Sequence, residues 1–195
     1  MSPDIFPVGI LDRWKKVSNV RIPDALLKNW LLNTGSLTER LQSQCRHFNL
    51  DVLGQALAIP AQITTDEYRQ LYGNHYLEQP PTQIREVILY GDKVPWVFAR
   101  TLIPKQFIDD EMQDLATLGK QPLGKILFND QRFKRQEFQL ICCEPMQPLF
   151  GVFDISVARL WGRRSKFRFK QHHIMVCEIF LPGSPAYRDM EYTFV

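Results

Sequence analysis

The chain has 195 residues, 45% of them apolar and 23% charged, with a formal net charge of +3 at pH 7. That is an ordinary composition for a soluble globular chain, long enough to bury a sizeable core as one domain, residues 1–195. The small positive excess argues against nucleic acid, which calls for a strong basic stripe, and suits a small dianionic substrate.

Residues 1–21 read as an irregular arm laid on the domain surface. Pro23-Asp24 opens a helix whose apolar residues Leu26, Leu27, Trp30 and Leu31 share one face. Asn33-Thr-Gly35 ends it, and Ser36-Leu-Thr-Glu39 is a capping box that starts a second helix, so 24–45 is a helical hairpin. His47 to Ile59 reads as a strand interrupted by Gly54, and Thr65 starts a short helix that ends at Gly73. A β-hairpin follows: Gln83 to Tyr90, a turn at Gly91-Asp92-Lys93, and Val94 to Ile103. Residues 107–128 read as a second helical hairpin, with Ile108, Met112, Leu115 and Leu118 along one helix and Pro122 opening the next. Phe133 to Cys143 reads as a strand. After a turn-rich loop, Asp154 to Arg159 leads into two closing strands joined by a turn at Gln171-His172. Strands arriving in hairpins and helices in separate pairs predict an α+β fold with an antiparallel sheet.

No apolar run approaches the roughly 18–20 residues that span a bilayer, and no signal peptide is visible, so no stable membrane insertion is expected. Cys142 and Cys143 are neighbours on a predicted strand, and they read as buried thiols rather than a disulfide; a cytoplasmic location fits. The chain has no phosphate-binding glycine loop, no GxSxG and no convincing ligand set; His172-His173 reads as a solvated turn. A site with no cofactor and no metal is therefore expected. The alternation of Arg164, Lys166 and Arg168 with Phe167 and Phe169 reads as a polar outer strand face over an apolar inner one.

Charged residues fall on apolar strand faces: Glu86 shares one with Ile84, Ile88 and Tyr90, and two others stand out. Glu178 shares a face with Ile174, Val176 and Phe180, and Arg85 shares one with Val87 and Leu89. A carboxylate placed there needs a partner: an arginine, a polar network or a ligand. Arg85 is either that partner or a guanidinium fork for a substrate carboxylate. Leu37 and Leu123 stand at helix starts, where backbone N–H groups lack intrahelical acceptors and favour anions.

Ordered motifs span residues 22–187. They are Trp30-Leu-Leu32, Ser36-Leu-Thr-Glu-Arg40, Arg85-Glu86, Pro95-Trp96 and Arg100-Thr101, then Leu118-Gly-Lys-Gln-Pro-Leu-Gly124, Leu160-Trp-Gly-Arg-Arg-Ser165 and Glu178-Ile-Phe-Leu-Pro-Gly-Ser-Pro185. The set resembles the bacterial chorismate pyruvate-lyase family, which converts chorismate to 4-hydroxybenzoate and pyruvate at the entry to ubiquinone biosynthesis. The resemblance implies a six-stranded antiparallel sheet with two helical flaps, 24–45 and 107–128, over a buried site. It implies that Arg85 binds the ring carboxylate, that Glu178 meets the ring hydroxyl, and that main-chain groups at Leu37 and Leu123 complete the pocket. It implies a monomer that needs no cofactor. Two departures stand out: the family often has methionine where Leu37 stands, and the stretch 133–159 is longer here. Arg100 is a candidate for the enolpyruvyl carboxylate. The competing reading is a non-catalytic, effector-sensing domain of the same fold that binds a small aromatic acid.

Overall fold

A computed structural model describes residues 6–10, 13–113, 115, 118–136, 138–144 and 159–187. Within them lie the strands β1 (Lys15–Lys16), β2 (Phe48–Leu57), β3 (Thr82–Gly91), β4 (Val94–Pro104), β5 (Lys134–Arg135), β6 (Gln139–Cys143), β7 (Leu160–Phe169) and β8 (His172–Phe180). They form one antiparallel sheet in the order β1-β6-β7-β8-β4-β3-β2, with β5 also on β7. The sheet thus has eight strands rather than six. The two additions are two-residue strands at one side. β1 adds the arm to the open edge of β6, with Lys15 opposite Leu140. The expected strand 133–143 is not continuous: Arg135 pairs with Phe167 and Gln139 with Arg164, so β5 and β6 meet β7 in registers one residue apart. A one-residue offset of this kind disrupts a ladder locally.

The helices are α1 (Ala25–Leu31), α2 (Leu37–Gln42), α3 (Thr65–Tyr72), α4 (Lys105–Glu111) and α5 (Leu123–Asn129). Their starts follow local chemistry. The Asp24 carboxylate accepts the Leu27 N–H at 2.7 Å, and the Ser36 hydroxyl accepts the Glu39 N–H at 3.3 Å, each satisfying a donor that has no acceptor within the helix. Thr64 and Glu67 cap α3 reciprocally. The helix expected through Leu118 stops at Glu111, although Leu115 and Leu118 remain buried beyond it.

Strand alternation divides the core. One face carries Ile84, Ile88, Phe98, Leu102, Met175 and Ile179, covered by Tyr68 and Leu71 of α3 and by Ile10 of the arm. The other face carries Val87, Leu89, Ala99 and Phe180 under α1 and α2, and Ile103, Phe167, Phe169 and Ile174 under α4 and α5. Asp92 and Lys93 have φ of 50° and 71°, the left-handed pair that suits a two-residue hairpin connection. The β7–β8 turn is Lys170-Gln171, with Lys170 at φ 51° and Phe169 opposite His172. His172 is therefore the first residue of β8, buried with its ring 5.5 Å from that of Phe107, not part of a solvated turn. The expected polar outer face of β7 also fails at Arg164, which is buried and pairs with Asp66 of α3 at 2.6 Å. The expected turn-rich loop, residues 144–151, and the lead-in from Asp154 lie almost wholly outside the described residues.

Candidate active site

The pocket lies on the sheet face that α1, α2, α4 and α5 cover. Its floor is Arg85, Val87 and Leu89 of β3, Ala99 and Thr101 of β4, and Val176 and Glu178 of β8. Leu37 and Thr38 of α2 and Leu123, Leu127 and Phe128 of α5 close it from above. The two helical pairs meet at Gly124. A Cβ there would lie 3.1 Å from the Thr38 hydroxyl oxygen, so a hydrogen at this position lets α5 approach α2.

All four residues singled out in the sequence line this one pocket. Arg85 and Glu178 face it from strands two apart, with β4 between them. Arg85 stands opposite Thr101, Thr101 opposite Val176, and Glu178 opposite Ala99. Two strand spacings across and two residues along place their Cα atoms roughly 12 Å apart. That span lets the two side chains reach opposite ends of one aromatic ring. Leu37 and Leu123 are the first residues of α2 and α5, after the extended cap residues Ser36 and Pro122.

Arg85 does not pair with Glu178. Its Nη1 donates to Gln55 Oε1 at 2.8 Å, and its Nη2 donates to the carbonyls of Gly119 and Gln121 at 2.9 and 3.2 Å. Gln55 and Gln83 both donate to the Leu115 carbonyl. Polar side chains of β2 and β3 thus fasten the segment between α4 and α5 over the pocket. Burial holds the Arg85 pKa below its ordinary value, so a carboxylate arriving there meets a poorly hydrated cation.

Glu178 is paired with Arg163, whose Nε donates to Oε2 at 2.5 Å. Arg163 is fully buried, and its Nη1 donates to the carbonyls of Trp30, Leu31 and Asn33 at 3.1, 3.4 and 2.7 Å. Those carbonyls lie at the end of α1, where acceptors lack intrahelical donors. One guanidinium therefore ties the first helical pair to Glu178. The carboxylate's other oxygen has no donor among the described residues, while the residue itself lines the pocket. Arg163 escaped the sequence reading, although it is the direct cross-strand neighbour of Glu178. With the turn placed one residue late, at Gln171-His172, the residue opposite Glu178 would have been Ser165. Two adjacent arginines in the closing strand were the available signal.

Arg100 lies on the opposite face of the sheet and cannot reach the pocket. Its Nε and Nη1 meet Glu67 and Glu86 at 3.0 and 2.7 Å, and its Nη2 donates to the Gln62 carbonyl at 2.7 Å. Burial alone would depress its pKa, but Glu67 and Glu86 together hold it above its ordinary value. Arg100 is thus a structural cation, and its candidacy for a substrate carboxylate is withdrawn. Glu86 also accepts the N–H groups of Val8 and Gly9 at 2.6 and 3.0 Å, which secures the arm.

The residues of this site fall within a longer match to known proteins. The family model described as chorismate lyase matches residues 11–191. The chain belongs to the chorismate lyase family. It is 44% identical over 191 residues to a probable chorismate pyruvate-lyase of Pseudoalteromonas atlantica, covering 96% of this chain and 95% of the relative. It is 33% identical over 174 residues to a probable chorismate pyruvate-lyase of Vibrio cholerae, covering 89% and 88%. Among solved structures, PhnF from Mycobacterium smegmatis has a TM-score of 0.57 at 13% identity, over 77% of this chain and 65% of that one. The effector domain of PhnF has a TM-score of 0.52 at 11% identity, over 77% and 91%. At such identities the likeness is of fold alone. Among the described residues, no cluster of histidine, cysteine and acidic side chains could hold a metal ion, and no helix of this family member is long and apolar enough to cross a membrane.

Proposed function

We propose that this protein is a chorismate pyruvate-lyase, converting chorismate to 4-hydroxybenzoate and pyruvate. The observation that carries the reading is the placement of Arg85 and Glu178 on one sheet face, lining one pocket beneath two helical pairs. Chorismate bears a ring carboxylate, a hydroxyl at C4 and an enolpyruvyl ether at C3. Arg85 holds the ring carboxylate, and Glu178 accepts a hydrogen bond from the C4 hydroxyl. Backbone N–H groups at Leu37 and Leu123 complete the polar contacts, while Val87, Leu89, Ala99 and Leu127 supply apolar walls.

In the reaction the C3–O bond breaks, its electron pair leaves with the enolpyruvyl oxygen, and C4 gives up its hydrogen as a proton. The ring becomes aromatic, and the enolate is protonated at its methylene carbon to give pyruvate. Aromatisation supplies the driving force, so no cofactor is needed. The protein selects the reactive conformer and stabilises the departing charge. The Arg163 pair fixes one Glu178 oxygen and aims the other at the substrate. The pairs 24–45 and 107–128 act as flaps, and product held by Arg85 and Glu178 leaves only when they part, which makes 4-hydroxybenzoate an inhibitor. The enzyme works as a cytoplasmic monomer at the first committed step of ubiquinone biosynthesis.

The test is to incubate the purified, exhaustively chelated protein with chorismate and to measure both products. Equal amounts of 4-hydroxybenzoate and pyruvate are expected, without added metal or nucleotide. A folded protein that makes neither product overturns the reading, and activity restored only by one metal overturns the cofactor-free mechanism.

A further inference from the structure

We propose that Arg135 binds the enolpyruvyl carboxylate of the substrate, making it the second carboxylate anchor of the pocket. The proposal rests on the lyase reading and deepens it. The substrate is a dianion, and Arg85 accounts for one carboxylate only. Arg100 is on the far face, and Arg163 is paired with Glu178 and does not itself line the pocket, although its Nη2 has no acceptor among the described residues. Lys120 is exposed and faces Asp51.

Arg135 lines the pocket on the side away from Arg85, with β4, β8 and β7 between their strands. Glu178 lies on β8, between the two cations. The Arg135 guanidinium carbon sits 4.9, 4.7 and 5.0 Å from the ring centres of Phe128, Phe138 and Phe167, an aromatic cage that fixes its plane. Its Nη1 donates to the Thr34 carbonyl at 3.1 Å, but its Nε is buried with no acceptor among the described residues. A buried N–H without an acceptor is costly, and a ligand oxygen would satisfy it. Burial lowers the Arg135 pKa to about 10, which leaves the group charged at neutral pH and poorly hydrated. Arg85, Arg135 and Arg163 against Glu178 leave two positive charges in excess around the pocket, matching a dianion. The product 4-hydroxybenzoate has one carboxylate and leaves Arg135 unmatched, so Arg135 separates substrate from product where Arg85 and Glu178 do not.

The test compares two ligands by calorimetry. They are 4-hydroxybenzoate and a stable dianion, 4-hydroxybenzoate carrying an ether-linked carboxymethyl group at C3. In Arg135→Gln, affinity for the dianion and kcat/KM for chorismate should each fall roughly ten- to hundredfold, the range of one charge-assisted hydrogen bond. Affinity for 4-hydroxybenzoate should stay within about twofold. Arg135→Lys, which keeps the charge within the same cage, should recover part of the dianion affinity, and it serves as the test should the glutamine variant fold poorly. Equal losses for both ligands, or no selective loss of the dianion in either variant, overturns the proposal. A wild-type protein that forms no product from chorismate overturns the lyase reading instead, and the two-ligand comparison still reports on Arg135.

Discussion

Replacing Arg163 with methionine tests the idea that one guanidinium joins the first helical pair to Glu178. The substitution deletes the donor to Glu178 and the donor to the carbonyls of Trp30, Leu31 and Asn33. Arg163 is 0% exposed and Glu178 is 9% exposed, so little water can replace those bonds. Removing one member of a buried, hydrogen-bonded ion pair costs about 3–5 kcal/mol, because the other charge stays behind. Against a total stability of about 5–15 kcal/mol, that loss is large. For a chain of 195 residues, an unfolding entropy of about 2.1 cal/mol/K per residue turns it into a Tm decrease of roughly 7–12 °C. Urea titration followed by far-UV circular dichroism, beside a thermal scan, measures both quantities. The double variant Arg163→Met with Glu178→Met removes the stranded carboxylate and should recover at least half of the loss. A single variant within about 1 kcal/mol of wild type, or a double variant no more stable than the single, would falsify the reasoning.

Arg85→Lys keeps the charge but loses the planar fork; kcat/KM should drop roughly ten- to hundredfold with the fold intact, and unaltered kinetics would remove Arg85 from the carboxylate role. Glu178→Gln should weaken 4-hydroxybenzoate more than benzoate, which has no hydroxyl to lose; calorimetry showing equal losses would exclude contact with the hydroxyl. Under the proposed mechanism, in which product leaves only when the flaps part, a pre-steady-state time course should show an initial burst of 4-hydroxybenzoate. Gly124→Ala sets a Cβ 3.1 Å from the Thr38 hydroxyl oxygen, so it should loosen the flap contact, shrink the burst and ease product inhibition; a linear start in wild type would show that release is not limiting.

The candidate site was legible where one strand or one turn sufficed. Alternation along β8 and β3 put Glu178 and Arg85 on apolar faces, and both line the pocket. The capping Ser36 placed the start of α2 and the helix-opening Pro122 that of α5, and with them Leu37 and Leu123. The partner of Glu178 was not legible, since a one-residue change in a hairpin turn moves the opposing residue by two. Arg135 gave no signal, because β5 is two residues long and its register on β7 is one residue out of step with that of β6. The motif Arg100-Thr101 did not show which of its two residues faces the ligand; strand alternation assigns Thr101 to the pocket and Arg100 to Glu86 on the other side.

By itself, the sequence determined the α+β class, the helical pairs, the long hairpins and the strand faces of Arg85 and Glu178. Those depend on interactions between residues a few positions apart: helical and strand periodicity, caps and turns. Tertiary structure alone decided that Arg163, not Arg85, neutralises Glu178, that Arg100 is spent on Glu67 and Glu86, and that Arg135 enters the pocket. Each of these is a choice of partner for a long cationic side chain. A guanidinium takes whichever carboxylate or carbonyl the register and the layers bring within reach, and register and layering are set by burial across the whole sheet.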